Sequence, residues 1–160
     1  MARRTFFSFH FERDVWRAGQ VRNSWVTKAD REASGFWDAA KWEEVKKKGE
    51  EAIQKWIDDQ LNGTSVTVVL IGAETSTRKY VDYEILQSHK KGNGLLGVYI
   101  HNMKDSNSKT DIKGNNPFDK WTFKDSSGNF ITYPTYDWVN NDGRDNLGTW
   151  IETAAKKAGR

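Results

Sequence analysis

The chain has 160 residues, 36% of them hydrophobic, which suffices for one domain with a packed core and is too short for two ordinary domains. It contains no cysteine, so a disulfide framework, a thiolate nucleophile and a cysteine-based zinc site are excluded. The 25 Lys and Arg against 22 Asp and Glu give a net charge of +3, a small excess of base that does not indicate a nucleic-acid partner.

The N-terminal stretch does not have the pattern of a targeting segment. Basic residues precede a short apolar patch in MARRTFFSFHFERD, but His10 and Glu12 interrupt that patch, and no small-residue cleavage site follows. Nowhere does an apolar run reach the length that crosses a bilayer. We therefore expect a single domain over residues 1–160 that works in the cytoplasm without a membrane.

The first part of the chain begins with an aromatic run that favours a buried strand. This strand, RTFFSF, covers residues 4–9. Loosely helical apolar spacing then predicts a helix over 13–22, and a second strand is expected over 24–27. A polar loop with an aromatic tip follows at 28–40. The clearest amphipathic helix then runs over 39–61 and ends at an Asn-Gly pair.

The second part alternates strands and helices. Its strongest strand is the β-branched run SVTVVLI, and the next helix has Thr75 or Ser76 as its cap and Gly92 as its stop. The predicted elements are a strand over 65–71, a helix over 77–91, a strand over 95–100, an irregular loop over 102–120, an edge strand over 130–138 and a helix over 145–157.

This alternation predicts an α/β fold with an open parallel sheet and helices on both faces. Such sheets bind ligands beyond the carboxyl ends of their strands. That rule selects three segments as candidate ligand-binding regions, namely residues 8–14, 72–79 and 101–118.

Several common catalytic and metal-binding motifs are missing from the sequence. There is no G-x-G-x-x-G, no phosphate-binding P-loop and no G-x-S-x-G nucleophile elbow. The three histidines, His10, His89 and His101, are scattered without the spacing of metal ligands, so no metal site is predicted.

Glu84 is the carboxylate that most needs an interpretation. On a helix that begins near Ser76, Tyr80 lies one turn before Glu84, and Val81 and Ile85 form the adjoining apolar face. The spacing alone permits either a solvated helix glutamate, which is the commoner case, or a carboxylate held at the edge of a site.

Polar and aromatic groups near the first strand are further candidates for a site. Ser8, His10, Arg13 and Asp14 follow that strand, although Ser8 or Asp14 could simply cap the first helix. In the loop over 28–40, Phe36 and Trp37 follow a flexible Ser-Gly pair. This aromatic pair could close over a ligand or pack beneath the loop.

Four stretches together resemble one family. They are RRTFFSFHFERDVWRAGQVRNSW at 3–25, STRKYVDYEILQS at 76–88, GNGLLGVYIHNMKD at 92–105 and GNNPF at 114–118. In combination they are similar to the TIR-like proteins of the Thoeris anti-phage system. The resemblance implies a flavodoxin-like TIR fold, NAD+ as substrate rather than a bound cofactor, and a cyclic ADP-ribose signal that activates a separate NAD-consuming effector protein.

The resemblance also implies roles for individual residues. Tyr80 and Glu84 occupy the positions of the TIR W-x-x-x-E pattern, which makes Glu84 the catalytic residue and Tyr80 a stacking group. The first-strand motif of TIR enzymes matches residues 6–10. The substrate-binding candidates from this part of the chain are Phe6, Ser8, Phe9, His10 and Arg13. The ligand-closing loop corresponds to residues 28–40, which places Phe36 and Trp37 near the substrate.

One carboxylate suffices for the implied reaction. Cleavage of the nicotinamide–ribose bond builds oxocarbenium character on the ribose, which an anion stabilises, and nicotinamide leaves neutral without an acid. Two alternatives stay open at this stage. One is a non-catalytic TIR-like module that acts by protein contact or homo-oligomerisation, and the other is a nucleotide-binding receiver without chemistry.

Overall fold

A five-stranded parallel sheet forms the centre of the structure. The computed structural model describes residues 3–36 and 39–160. The strands are β1 (Arg3–Ser8), β2 (Arg31–Ser34), β3 (Val66–Ile71), β4 (Gly94–Tyr99), β5 (Phe123–Lys124), β6 (Phe130–Ile131) and β7 (Thr135–Asp137). The sheet has the order β2-β1-β3-β4-β7 with every neighbouring pair parallel, while β5 and β6 form a separate antiparallel pair.

Helices cover both faces of this sheet. They are α1 (Phe11–Val26), α2 (Ala39–Lys48), α3 (Glu50–Leu61), α4 (Lys79–Lys91) and α5 (Gly143–Lys157). Successive side chains of β3 point to opposite faces, so Val68 packs in the core cluster with α1 and α5 while Val69 packs with α4. The near-continuous apolar run of β3 follows from this burial on both sides.

The strand order creates a switch point between β1 and β3. The chain leaves β1 towards β2 on one side and then returns across β1 to β3, the doubly wound order of flavodoxin-like folds. The predicted α/β, flavodoxin-like class is therefore confirmed. Ligands in such sheets bind in the crevice at the switch point, which lies next to Ser8 at the end of β1.

The predicted second strand over 24–27 is wrong, because these residues lie in or directly after the last turn of α1. Ala18, Val21 and Trp25 form one buried helical stripe, and the Trp25 indole donates a hydrogen bond to the Glu32 carbonyl oxygen across 2.9 Å. The true second strand, β2, lies inside the predicted loop. Its sequence REAS is polar because it is an edge strand whose side chains are mostly not buried.

The predicted helix over 39–61 is two helices. Gly49 has φ +98°, a backbone angle that an α-helix cannot contain, and it separates α2 from α3. The predicted cap of α4 is also wrong. Thr75 lies in a 3₁₀ turn over Thr75–Thr77, where its hydroxyl accepts a hydrogen bond from the Gly72 amide, and α4 begins after Arg78 without a side-chain cap.

The predicted edge strand over 130–138 divides at Pro134. Residues before the proline form β6, whereas β7 follows it and pairs with β4 at the edge of the main sheet. The predicted helix over 13–22 is too short, since α1 runs from Phe11 to Val26, and the other predicted strands and helices agree with the structure within about two residues. Gly92 ends α4 with φ +88° as expected. Within residues 3–36 and 39–160, no helix combines the length and the apolar character needed to span a membrane.

Candidate active site

A hydrogen bond between two buried side chains links the end of β1 to α4. Ser8 Oγ donates to Glu84 Oε1 across 2.8 Å, and the two residues are 0% and 5% exposed. Ser8 is the last residue of β1 and lies opposite Val69 of β3. The pair therefore occupies the crevice at the switch point of the sheet.

Glu84 reaches this position because it belongs to the buried stripe of α4. That stripe is Val81, Glu84, Ile85 and Ser88, spaced as one face of a helix. Ser88 Oγ is satisfied by a 2.7 Å hydrogen bond to Thr67 Oγ1. The interpretation of Glu84 as a solvated helix glutamate is wrong, since its side chain faces the sheet.

Burial raises the pKa of Glu84 to about 8, and the hydrogen bond from Ser8 opposes this rise. Within the described ranges, no cationic side chain lies at salt-bridge distance from the Glu84 carboxyl group. Glu84 is thus predominantly protonated at neutral pH. A ligand that brings a positive charge beside it would favour the carboxylate form.

Glu84 lines a cavity of about 230 Å³ beside the carboxyl end of β1. Three parts of the chain build its wall. The segment after β1 contributes Phe9, His10, Phe11 and Glu12, helices α2 and α3 contribute Trp42, Lys46, Ile53 and Ile57, and the start of α4 contributes Arg78, Tyr80, Val81 and Glu84.

Aromatic rings follow one another around this wall. The Phe9 and Phe11 centroids are 6.5 Å apart, those of Phe11 and Trp42 are 5.9 Å apart, and Trp42 meets Tyr80 edge-on at 6.4 Å. Such a wall suits a planar aromatic ligand, because its rings offer faces and edges against which another ring can pack.

His10 adds a polar atom to the same cavity. Its Nδ1 is buried and has no hydrogen-bond partner among the residues that the structure describes. Burial lowers the pKa of His10, with a further contribution from the charge of Arg78. His10 is therefore a neutral imidazole at pH 7, able to donate or accept a hydrogen bond to a ligand.

The structure brings five of the predicted site residues together. Phe9, His10, Tyr80 and Glu84 line the cavity, and Ser8 joins them through its hydrogen bond to Glu84. Residues 8–10 are far in sequence from Tyr80 and Glu84, and the parallel pairing of β1 with β3, together with the packing of α4 on these strands, brings the two groups together.

The remaining predicted residues lie elsewhere. Neither Phe6 nor Phe36 lines the cavity. Phe6 is fully buried against α2 and α3, and Phe36 packs on Phe9 with the ring centroids 5.1 Å apart. Arg13 forms a two-pronged bond to Asp111 and an ion pair with Glu74. Trp37 lies outside the described residues.

Trp42, Lys46 and Arg78 line the cavity but were not predicted as site residues. Trp42 has the helical spacing of an ordinary core position, and that spacing carries no sign of a ligand. Arg78 lies in the segment 72–79 that the strand-end rule selected, so this rule could have identified it. Over the described ranges, no group of three or more His, Asp or Glu side chains could hold a metal ion.

The sheet order defines this chain as a flavodoxin-like α/β protein, and a buried carboxyl group lies in the crevice at its switch point. The comparison with known families is specific. Residues 6–105 match the family model described as "Thoeris protein ThsB, TIR-like domain", and the chain belongs to this family. The matched range contains every residue that lines the cavity.

A curated relative covers more of the chain. It is the Bacillus cereus (strain MSX-D12) protein named "Putative cyclic ADP-D-ribose synthase ThsB1". The two are 37% identical over 191 residues, an alignment that spans 94% of this chain and 100% of the relative. The family expected from the sequence is therefore confirmed.

Proposed function

We propose that this chain is an NAD+-consuming enzyme of anti-phage defence that cleaves the nicotinamide–ribose bond and releases a cyclic ADP-ribose-type product. That product would serve as a diffusible signal to a separate effector protein. The observation that carries the proposal is the buried carboxyl group of Glu84 in an aromatic cavity. Its only described hydrogen-bond partner is the hydroxyl group of Ser8. The name of the curated relative supports the same reaction.

The raised pKa of Glu84 fits a cationic substrate. The positive charge of the nicotinamide ring favours ionisation of a carboxyl group beside it, so substrate binding itself would generate the catalytic anion. Glu84 is then an anion near the ribose only when a substrate is present. An aromatic wall that includes Tyr80 and Trp42 would hold the ring and exclude water.

The bond that breaks is the one between the nicotinamide nitrogen and the ribose carbon. Its electron pair stays on nicotinamide, which leaves neutral, and the Glu84 carboxylate stabilises the oxocarbenium character left on the sugar. An adenine nitrogen or a ribose hydroxyl of the same molecule then forms the new bond to that carbon. When a hydroxyl attacks, Glu84 can accept the released proton because its pKa is about 8.

Mass spectrometry of NAD+ incubations tests the proposal. The wild-type chain, with and without lysate of phage-infected cells, should release nicotinamide and form a new isomer of ADP-ribose. Glu84→Gln and Glu84→Ala should form neither, because no anion would then lie beside the ribose. Glu51→Gln, which neutralises an exposed carboxylate of α3, should behave as wild type.

Three other outcomes would contradict the proposal. Unchanged nicotinamide release by a folded Glu84→Gln protein would remove Glu84 from the mechanism. If neither condition gives turnover and NAD+ does not bind, the chain is a non-catalytic module. Binding of NAD+ without any product would identify a nucleotide receiver.

A further inference from the structure

Arg78 is a cation at the cavity that the fold itself does not neutralise. It is solvent-exposed, lines the cavity, and precedes the first residue of α4. Across residues 3–36 and 39–160, no carboxylate lies within salt-bridge distance of its guanidinium group. Its five N–H donors are therefore open to a group from outside the chain.

Two other cations near the cavity, Lys46 and Arg13, have partners. Lys46 also lines the cavity, but its ammonium lies 3.3 Å from Glu43 and 3.8 Å from Glu12. Arg13 is held by Asp111 and Glu74 at 3.0 Å and 2.8 Å. Because Lys46 offsets the charge of Glu12 at the same cavity, the uncompensated charge belongs to Arg78.

The start of α4 adds positive potential beside Arg78. A helix exposes the N–H groups of its first turn, and in this 13-residue helix no side chain caps them. The acidic residue of that turn, Asp82, is paired with Lys120 at 2.7 Å and does not line the cavity. Both the arginine and the helix end therefore favour an anionic group.

The dimensions of the cavity indicate which part of the substrate meets Arg78. A volume of about 230 Å³ is below the range of about 300–1,000 Å³ that houses whole drug-sized ligands. A dinucleotide would therefore place only part of itself inside. Arg78 precedes Glu84 by six positions, roughly 9 Å along the helix axis at the usual rise per residue.

We infer that Arg78 binds the diphosphate of the dinucleotide while the scissile ribose lies beside Glu84. This inference rests on the proposed function and adds a determinant of substrate selection to it. A single ribose separates the scissile carbon from the first phosphate, in keeping with a carboxyl group on α4 and a guanidinium group just before the start of that helix. The guanidinium group can bond two phosphate oxygens at once, which makes the site selective for phosphorylated substrates.

Steady-state kinetics of Arg78 variants test the assignment. Arg78→Ala and Arg78→Gln should raise the KM for NAD+ by about tenfold, the effect of losing about one charge-assisted hydrogen bond, with kcat little changed. Arg78→Lys should restore part of the affinity. Nicotinamide riboside, which has no phosphate, should show the same KM with wild type and Arg78→Ala.

Lys90→Ala is the matched control, since Lys90 is an exposed cation of α4 and lies outside the cavity lining. This variant should keep the wild-type KM. Because Arg78 is exposed and unpaired within the described structure, its variants should melt at the wild-type temperature. An unchanged KM for NAD+ in a folded Arg78→Ala protein would overturn the inference and leave the proposed reaction intact.

Binding measurements separate this inference from the reaction itself. If the wild-type chain does not turn over NAD+, the proposed function fails, and calorimetry with ADP-ribose still tests Arg78. A dissociation constant that rises about tenfold in Arg78→Ala would support the diphosphate assignment. An equal constant in both proteins, or no binding of ADP-ribose by the wild type, would overturn it.

Discussion

Ser8 Oγ and Glu84 Oε1 are 2.8 Å apart, and this bond connects the last residue of β1 to the buried face of α4. The hydroxyl is the one described hydrogen-bond donor to a carboxyl group whose burial raises its pKa to about 8. Ser8 therefore orients Glu84 and also sets how easily it ionises. Substitution of Ser8 therefore tests whether the ionisation of Glu84 controls activity.

Replacement of Ser8 by alanine should make Glu84 harder to ionise. The lost hydrogen bond favours the carboxylate, so its removal raises the pKa of Glu84 further. We expect kcat/KM for NAD+ at pH 7 to fall about tenfold, as expected from a lost bond to a charged group. The rising limb of the pH profile should also shift to higher pH.

Ser88→Ala is the control for this change. Ser88 is another buried serine of the same region, lies one turn after Glu84 and bonds Thr67 instead. Loss of the Ser88 hydroxyl should lower the stability of the protein without shifting the pH profile of kcat/KM. The same shift of the profile in both variants would show that Ser8 acts on the fold rather than on Glu84.

Glu84→Gln should change the pH dependence of stability. The folded-state pKa of Glu84 lies above its ordinary value of 4.5, so the contribution of Glu84 to stability is greatest below pH 4.5 and declines as pH rises towards 8. This decline amounts to about 3 kcal/mol at pH 7. Glutamine does not titrate, but its amide adds a buried donor that costs about 1–2 kcal/mol.

The variant should therefore be more stable than wild type by about 1–2 kcal/mol at pH 7 and less stable at pH 5. Urea unfolding at both pH values measures the two differences. Equal differences at pH 5 and pH 7 would mean that Glu84 ionises in the folded protein as readily as in water.

Tyr80 should act through its ring rather than its hydroxyl. Its edge-on contact with Trp42, at a centroid distance of 6.4 Å, fixes the ring in the cavity wall. Tyr80→Phe should retain the wild-type KM for NAD+, whereas Tyr80→Ala should raise it by about tenfold through lost ring contact. Tyr80→Trp, which restores the usual TIR pattern, should bind at least as tightly as wild type.

Tyr83→Ala provides the comparison for these variants. Tyr83 lies on the same helix, and its hydroxyl donates to Asp58 outside the cavity. The KM of Tyr83→Ala for NAD+ should equal that of the wild type, although this change removes the same side-chain volume as Tyr80→Ala. A raised KM in Tyr80→Phe would instead assign the tyrosine hydroxyl to substrate binding.

The sequence allowed much of the fold to be predicted because its strongest patterns were local. The β-branched run of β3 and the glycine that ends α4 are readable without tertiary contacts. Two elements were not. A helix often tolerates a glycine in a charged helical pattern, so the break at Gly49 is visible only from its φ angle in the structure. The sequence of β2 is too polar to be distinguished from that of a loop.

The candidate site was harder to predict than the fold, because its residues come together only through tertiary contacts. The helical spacing placed Glu84 beside an apolar face but could not say whether that face met the sheet or the solvent. The resemblance to TIR enzymes selected Glu84 and Tyr80, since it compares whole motifs. Trp42 reaches the cavity from α2 and Arg78 from the residue before α4, and only the tertiary structure shows that they converge.

A final prediction concerns Asp14, a fully buried residue next to the switch point. Both of its carboxyl oxygens have no hydrogen-bond partner within the described residues, and Arg17 lies 3.8 Å away. Burial raises the pKa of Asp14 to about 6. A Cβ atom on Gly72, the residue after β3, would overlap the Asp14 carboxyl group.

Gly72→Ala should therefore destabilise the protein by about 2–3 kcal/mol, because the methyl group and Asp14 cannot occupy the same space. Gly72→Ala combined with Asp14→Ala should cost less than the sum of the two single changes, since removal of the carboxyl group makes room for the methyl group. Urea unfolding of the four proteins measures this coupling. Gly19→Ala is the control, because a Cβ atom there meets no neighbouring atom within 4 Å. Simple additivity would show that Gly72 contacts Asp14 less closely than the structure describes.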